Sequence, residues 1–136
     1  MRRTIAYAFG FTAFFAAAAA MALAEDDPLA QYLWEARPVI VFADSAKDPR
    51  FVRQMAAFEG YEEDFAEREV VILTDTDPST LSPLRKRLRP RGFQLVLVGK
   101  DGEIKFRTPH PVEAESLNRT IDRTPIRRRE MRGGQS

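Results

Sequence analysis

The sequence predicts a mixed α/β domain of order β-α-β-α-β-β-α, preceded by one short helix. Val39-Ile40-Val41-Phe42 and Val70-Val71-Ile72-Leu73 are short runs of β-branched and large apolar residues, the pattern of strands covered on both faces. Between them Phe51, Met55, Phe58, Tyr61 and Phe65 recur at spacings of four and three, as on one face of a helix packed on that sheet. Lys100-Asp101-Gly102 separates Phe93 to Val98 from Glu103 to Arg107, and a glycine-bearing turn between two such runs reads as a hairpin.

In chain order, Met1-Arg2-Arg3 is a basic start, Ile5 to Met21 carries no charge, and Ala22-Leu23-Ala24 has the small-x-small form of a leader cleavage site. A signal peptide is therefore expected at 1–24, a folded domain at 25–132 and an unstructured tail at 133–136. Export would place the mature protein in the periplasm or outside the cell, with membrane contact only through the leader before its removal. Arg2 and Arg3 leave with that leader, so the chain's 21 Lys and Arg no longer outnumber its 20 Asp and Glu. A near-neutral domain has no general affinity for nucleic acid, and attraction to anions must come from local clusters.

Asp27-Pro28 opens a helix with Leu29, Tyr32, Leu33 and Ala36 on one stripe, since Asp caps free N–H groups and Pro fits the first helical position. Asp48-Pro49 starts the second helix, with Gly60 as a weak point in its middle. Asp77-Pro78 or Ser82-Pro83 starts a short basic helix with Leu81, Leu84 and Leu88. After the hairpin, in which Ile104 and Phe106 alternate, Val112 to Asp122 forms the last helix with Ala114, Leu117 and Ile121 inward, and Thr124-Pro125 ends it.

This order is that of a thioredoxin-like core. Trp34-x-x-Arg37 before the first strand, Glu67-Arg68-Glu69 before the second, Val98-Gly99-Lys100-Asp101-Gly102 at the hairpin and Ile121-Asp122-Arg123-Thr124-Pro125-Ile126-Arg127-Arg128 at the end resemble a family of exported bacterial domains of unknown function. Modules of animal matrix proteins of the sushi-repeat and coiled-coil tumour-suppressor type are related to it. The resemblance covers about Leu29 to Met131 and implies a thioredoxin-like fold and kinship with peroxiredoxins, with no settled activity. Where the family often has Met-Pro-Met-Arg, this chain has Thr124-Pro125-Ile126-Arg127.

Cysteine is absent, so thiol nucleophiles, peroxidatic chemistry, disulfide exchange and thiolate metal sites are excluded. Thioredoxins carry their cysteines just after the first strand, where this chain has Phe42-Ala43-Asp44-Ser45-Ala46-Lys47-Asp48. They also place a proline directly before the third strand, where Arg91-Gly92 stands here with Pro90 one step early.

The expected role is that of a binding or interaction module for an unknown protein or an anionic periplasmic ligand, without a cofactor or a resident metal. Its candidate contact residues are Trp34, Arg37, Asp101, Arg127 and Arg128. The ordinary roles are core packing for Trp34, covering that indole or pairing with an acid for Arg37, and turn formation for Asp101. One alternative is a non-thiol enzyme or cation site using Asp44, Ser45 and His110, with Asp48, Asp75 and Asp77 nearby. Another is an accessory partner of a separate redox protein. Arg119 and Arg123 suit the carbonyl end of the last helix. Arg127, Arg128, Arg129 and Arg132 lie beyond it, and Arg127 and Arg128 are expected to fold back onto the acidic helix bearing Glu59, Glu62, Glu63, Asp64, Glu67 and Glu69.

Overall fold

The computed structural model describes residues 27–134, so the expected leader and the last two residues of the expected tail lie outside it. Strand β1 (Arg37–Phe42) is buried along its whole length. It pairs in parallel with β2 (Val70–Asp75) and antiparallel with β3 (Gln94–Val98), which pairs antiparallel with β4 (Ile104–Thr108). The order is β2-β1-β3-β4, the thioredoxin-like arrangement that the sequence predicts. Alternation along the central strands divides the core. Val39, Val41, Leu95 and Leu97 face Phe58, Phe65, Leu117 and Ile121, while Ile40, Phe42, Val96 and Val98 face Leu29 and Leu88.

The helices that cover these faces are α1 (Pro49–Phe58), α2 (Glu62–Glu67), α3 (Pro83–Leu88), α4 (Ala114–Asp122) and α5 (Pro125–Gly133). Asp48 caps α1 through the Arg50 amide and Ser82 caps α3 through the Arg85 amide. Buried Gln54 substitutes for a backbone group, donating to the Val112 carbonyl at 2.9 Å and accepting from its amide at 2.8 Å. It thereby ties α1 to the approach to α4.

Several expectations need correction. The single helix expected after Asp48 is two, because Gly60 takes φ +85 and interrupts it between α1 and α2. Strand β2 is only half-buried, being at the edge of the sheet. Both Asp-Pro and Ser-Pro starts are used: Asp77 caps a 3-10 turn at Pro78–Thr80, and Leu81, between that turn and α3, is left-handed and exposed. The alternation of Ile104 and Phe106 is broken by an irregularity in which Val98 pairs with Ile104 and Leu97 with Phe106, leaving Lys105 as the extra residue. Thr124-Pro125 ends α4 but opens α5, which puts the outer arginines on a helix that includes Gly133.

The N-terminal helix is reduced to one 3-10 turn, Ala30–Tyr32. Arg37 already joins the sheet, its amide bonding the Glu69 carbonyl at 2.8 Å. The intervening residues must therefore turn sharply, and Trp34 does so at φ 64, with its amide donating to the Lys100 carbonyl at 2.8 Å. The indole expected in the core is 67% exposed.

Candidate functional site

Three segments that are distant in sequence meet at one end of the sheet. The turn after the 3-10 helix brings Trp34 and Arg37, the β3–β4 hairpin brings Lys100, Asp101 and Lys105, and α5 brings Pro125, Ile126, Arg129 and Glu130. Together with Leu97 and Ile121 below, they enclose a groove of about 650 Å³, within the usual size range of a small ligand site. Of the five candidate contact residues, Trp34, Arg37 and Asp101 line it.

Arg37, Lys100 and Glu130 of the groove belong to an ion network whose cations are buried and whose acids are partly or largely exposed. The Glu130 carboxylate accepts from Lys100 Nζ at 2.7 Å and Arg37 Nη2 at 3.1 Å through one oxygen, and from Arg127 Nη1 at 3.5 Å through the other. Arg37 also donates to the Arg68 carbonyl at 2.7 Å, and Lys100 pairs with Glu69 at 3.2 Å. Arg127 reaches Glu67 and Asp122, both at 3.3 Å, while Arg68 grips Asp122 with two bonds of 3.0 and 2.9 Å. Arg37, Lys100 and Arg127 are all buried. Such charges persist in a low-dielectric interior only when paired.

Burial would raise the Glu130 pKa, but the hydrogen bonds from Lys100 and Arg37 outweigh it and hold the carboxyl below its ordinary value of 4.5. Arg68 does the same for Asp122 against a smaller cost of burial. At the hairpin, burial acts to raise the Asp101 pKa, and the Lys105 ammonium at 2.8 Å with the Glu103 amide brings it down. Asp101 is thus a turn residue and a groove residue at once.

The fold-back expected of two arginines holds for Arg127 alone. Arg128 is exposed and meets no carboxylate among the described residues. Arg127→Gln should cost about 2 kcal/mol, because the acids it leaves are partly exposed or keep other partners. Arg128→Gln should change stability by less than about 0.5 kcal/mol. Denaturant titration of both variants checks the contrast, and equal effects would contradict it.

The second candidate cluster is not assembled. Asp44, Ser45, Lys47, Asp48, Pro49 and Arg50 form an open depression of about 520 Å³ that His110 does not line. Ser45 Oγ accepts from the Lys47 amide at 3.1 Å, and Asp48 caps α1 while binding the Arg50 guanidinium at 2.9 Å. His110 is exposed, and its only hydrogen bond among the described residues is from its backbone amide to Thr108 Oγ1. Asp75 is committed to Arg85 and Ser82, and Asp77 to its cap. Among the described residues no group of three His, Asp or Glu is placed to hold a metal ion.

Sequence reasoning missed Glu130 and Lys100 as the centre of the network. The available signal was weak: Glu130 is the single acid within Arg127 to Arg132. Nothing local distinguishes Lys100 from an ordinary turn lysine.

The family model described as Domain of unknown function (DUF4174) matches residues 28–130. No curated protein matches the chain. Among solved structures, reduced 2-Cys peroxiredoxin of Plasmodium vivax superposes with a TM-score of 0.58 at 14% identity, covering 76% of this chain and 84% of that one. The mitochondrial 2-Cys peroxiredoxin of Plasmodium falciparum gives 0.46 at 16%, covering 68% and 77%. StoA of Bacillus subtilis gives 0.41 at 13%, covering 62% and 81%. The first likeness shows the thioredoxin-like fold, and this chain contains no cysteine.

Proposed function

This chain belongs to the DUF4174 family, and we propose that it is an exported, cysteine-free thioredoxin-like binding module whose contact surface is the groove lined by Trp34, Arg37 and Asp101. The observation that carries the reading is Trp34. A large aromatic side chain, 67% exposed, is held at φ 64 on the rim of a groove. A left-handed conformation costs a non-glycine residue on the order of 1–3 kcal/mol, and the chain takes it here as it does at Glu69, Leu81 and Arg89. Exposing an indole forgoes the burial that would offset it. The network gives the groove fixed walls, so little ordering cost remains at binding.

Trp34→Gly relieves the strain and removes the indole. It should leave stability within about 1 kcal/mol of the parent or slightly higher, while loss of the indole abolishes capture of partners from an extract of the source cells. Val52→Ser, at an exposed apolar residue on α1, should leave capture intact. A Trp34→Gly protein that is clearly destabilised, or that captures as the parent does, defeats the reading.

Export rests on the basic, apolar and Ala22-Leu23-Ala24 sequence of the leader, and it places the module in the periplasm or outside the cell. Terminal sequencing of protein recovered from its native host should begin at Glu25. Recovery of the full-length chain from cytoplasm would count against export without touching the groove.

A further inference from the structure

We propose that the groove accepts an extended acidic peptide segment of a partner protein, seating an apolar side chain against Trp34, Pro125 and Ile126 and carboxylates against Arg129 and Arg132. The inference rests on the groove being the binding surface and adds the chemistry of its occupant.

Charge accounting at the rim points to an acid. Arg37 and Lys100 are held by Glu130, and Lys105 is held by Asp101 at 2.8 Å and Glu103 at 3.1 Å. Arg129 has one long bond, from Nε to the Pro125 carbonyl at 3.5 Å. Among the described residues neither Arg129 nor Arg132 meets a carboxylate. Arg129 lines the groove, and Arg132 stands three residues further along α5 on the stripe that begins at Pro125, so its guanidinium continues the row one turn beyond the groove's lining residues. The carboxylate-free charges on this stripe of α5 are therefore positive, one at the groove and one a turn beyond it.

The groove also has apolar lining, with Pro125 and Ile126 from α5 and Trp34 from the turn before β1. A ligand matching both features carries carboxylates in a row and an apolar group among them. Guanidinium forks bind carboxylates with directed, paired hydrogen bonds. A flat anionic surface matches less well, because it would press on Asp101 and Glu103 as well as on the arginines. A single strand of peptide can lie along the arginine stripe alone.

Trp34 is the only tryptophan, so its emission reports the groove directly. Random short peptides displayed on phage are selected on the full mature protein, and the enriched sequences are synthesised and titrated while Trp34 emission is followed. The expected result is enrichment of Asp and Glu beside Leu or an aromatic residue, with a saturable emission shift. Binding should weaken about tenfold or more in Arg129→Gln/Arg132→Gln and with added salt, while the melting temperature of that variant stays at the parent value.

Enriched peptides that lack acids yet shift Trp34 emission would overturn the acidic occupant and leave the groove reading standing. If no peptide moves the emission, the groove reading itself falls. Phosphatidylglycerol vesicles that bind the protein through Arg129 and Arg132, with no acidic peptide enriched, would overturn the proposal in favour of a lipid surface.

Discussion

Glu130→Ala is expected to destabilise the domain by about 3–4 kcal/mol, more than most single substitutions do. The glutamate is itself only partly buried, at 26% exposure, but the groups it leaves are not: the Arg37 side chain is 3% exposed and that of Lys100 is 9% exposed. Lys100 would keep Glu69, and Arg37 would keep only the Arg68 carbonyl. A guanidinium buried against a neutral acceptor retains most of its desolvation cost. The pH dependence should change with it. The folded-state pKa of Glu130 is depressed, so the stability it contributes is present above the ordinary carboxylate range and is lost as pH falls through the folded value. The parent should thus lose stability on acidification below about pH 5, and Glu130→Ala should lose less over the same interval. Urea titrations of both proteins at several pH values test the two statements together. Parallel pH profiles would remove Glu130 from its central position.

Asp75→Ala should cost about 3 kcal/mol by stranding Arg85. Arg85 and Asp75 side chains are 6% and 10% exposed and meet at 2.9 Å. Burial pushes the Asp75 pKa upward, and the bonds from Ser82 and Arg85 more than reverse that. The same guanidinium donates to the Ala43 carbonyl at 2.8 Å and lies 5.4 Å from the centre of the Phe42 ring. It thus fastens the end of β1 to α3. Asp75→Asn keeps an acceptor and should cost less than Asp75→Ala, and thermal melts of the pair would show the order. Equal losses would mean that the charge, and not the missing acceptor, sets the cost.

Much of the scaffold was legible because its signals are local. The run Val39 to Phe42 needs no neighbour to read as a covered strand, and Ala114, Leu117 and Ile121 declare their face by spacing alone. Gly60 was legible as a weak point but not as a break, since its positive φ depends on how α2 returns to the sheet. Trp34 was misread for a similar reason. An indole near apolar residues reads as core until the turn into β1 directs it outward. The candidate site was half visible: Trp34, Arg37 and Asp101 stood out, while Glu130 and Lys100 acquire meaning only through partners far along the chain. The loop at Asp44 and Ser45 drew notice by its position in the fold, and helix capping and turn bonds account for its polar groups.

Arg37 and Glu130 are separated by 93 residues. Their contact closes nearly the full length of the domain, and the entropic cost of such closure falls late, after shorter loops have formed. During folding β1 can pair with β2 and the hairpin can close before α5 docks, and the charges at the end of the sheet keep their hydration until Glu130 reaches them. The domain therefore has a last step that depends on its own completion. A product truncated within α5 would expose cations prepared for burial, which marks an unfinished chain as different from a finished one.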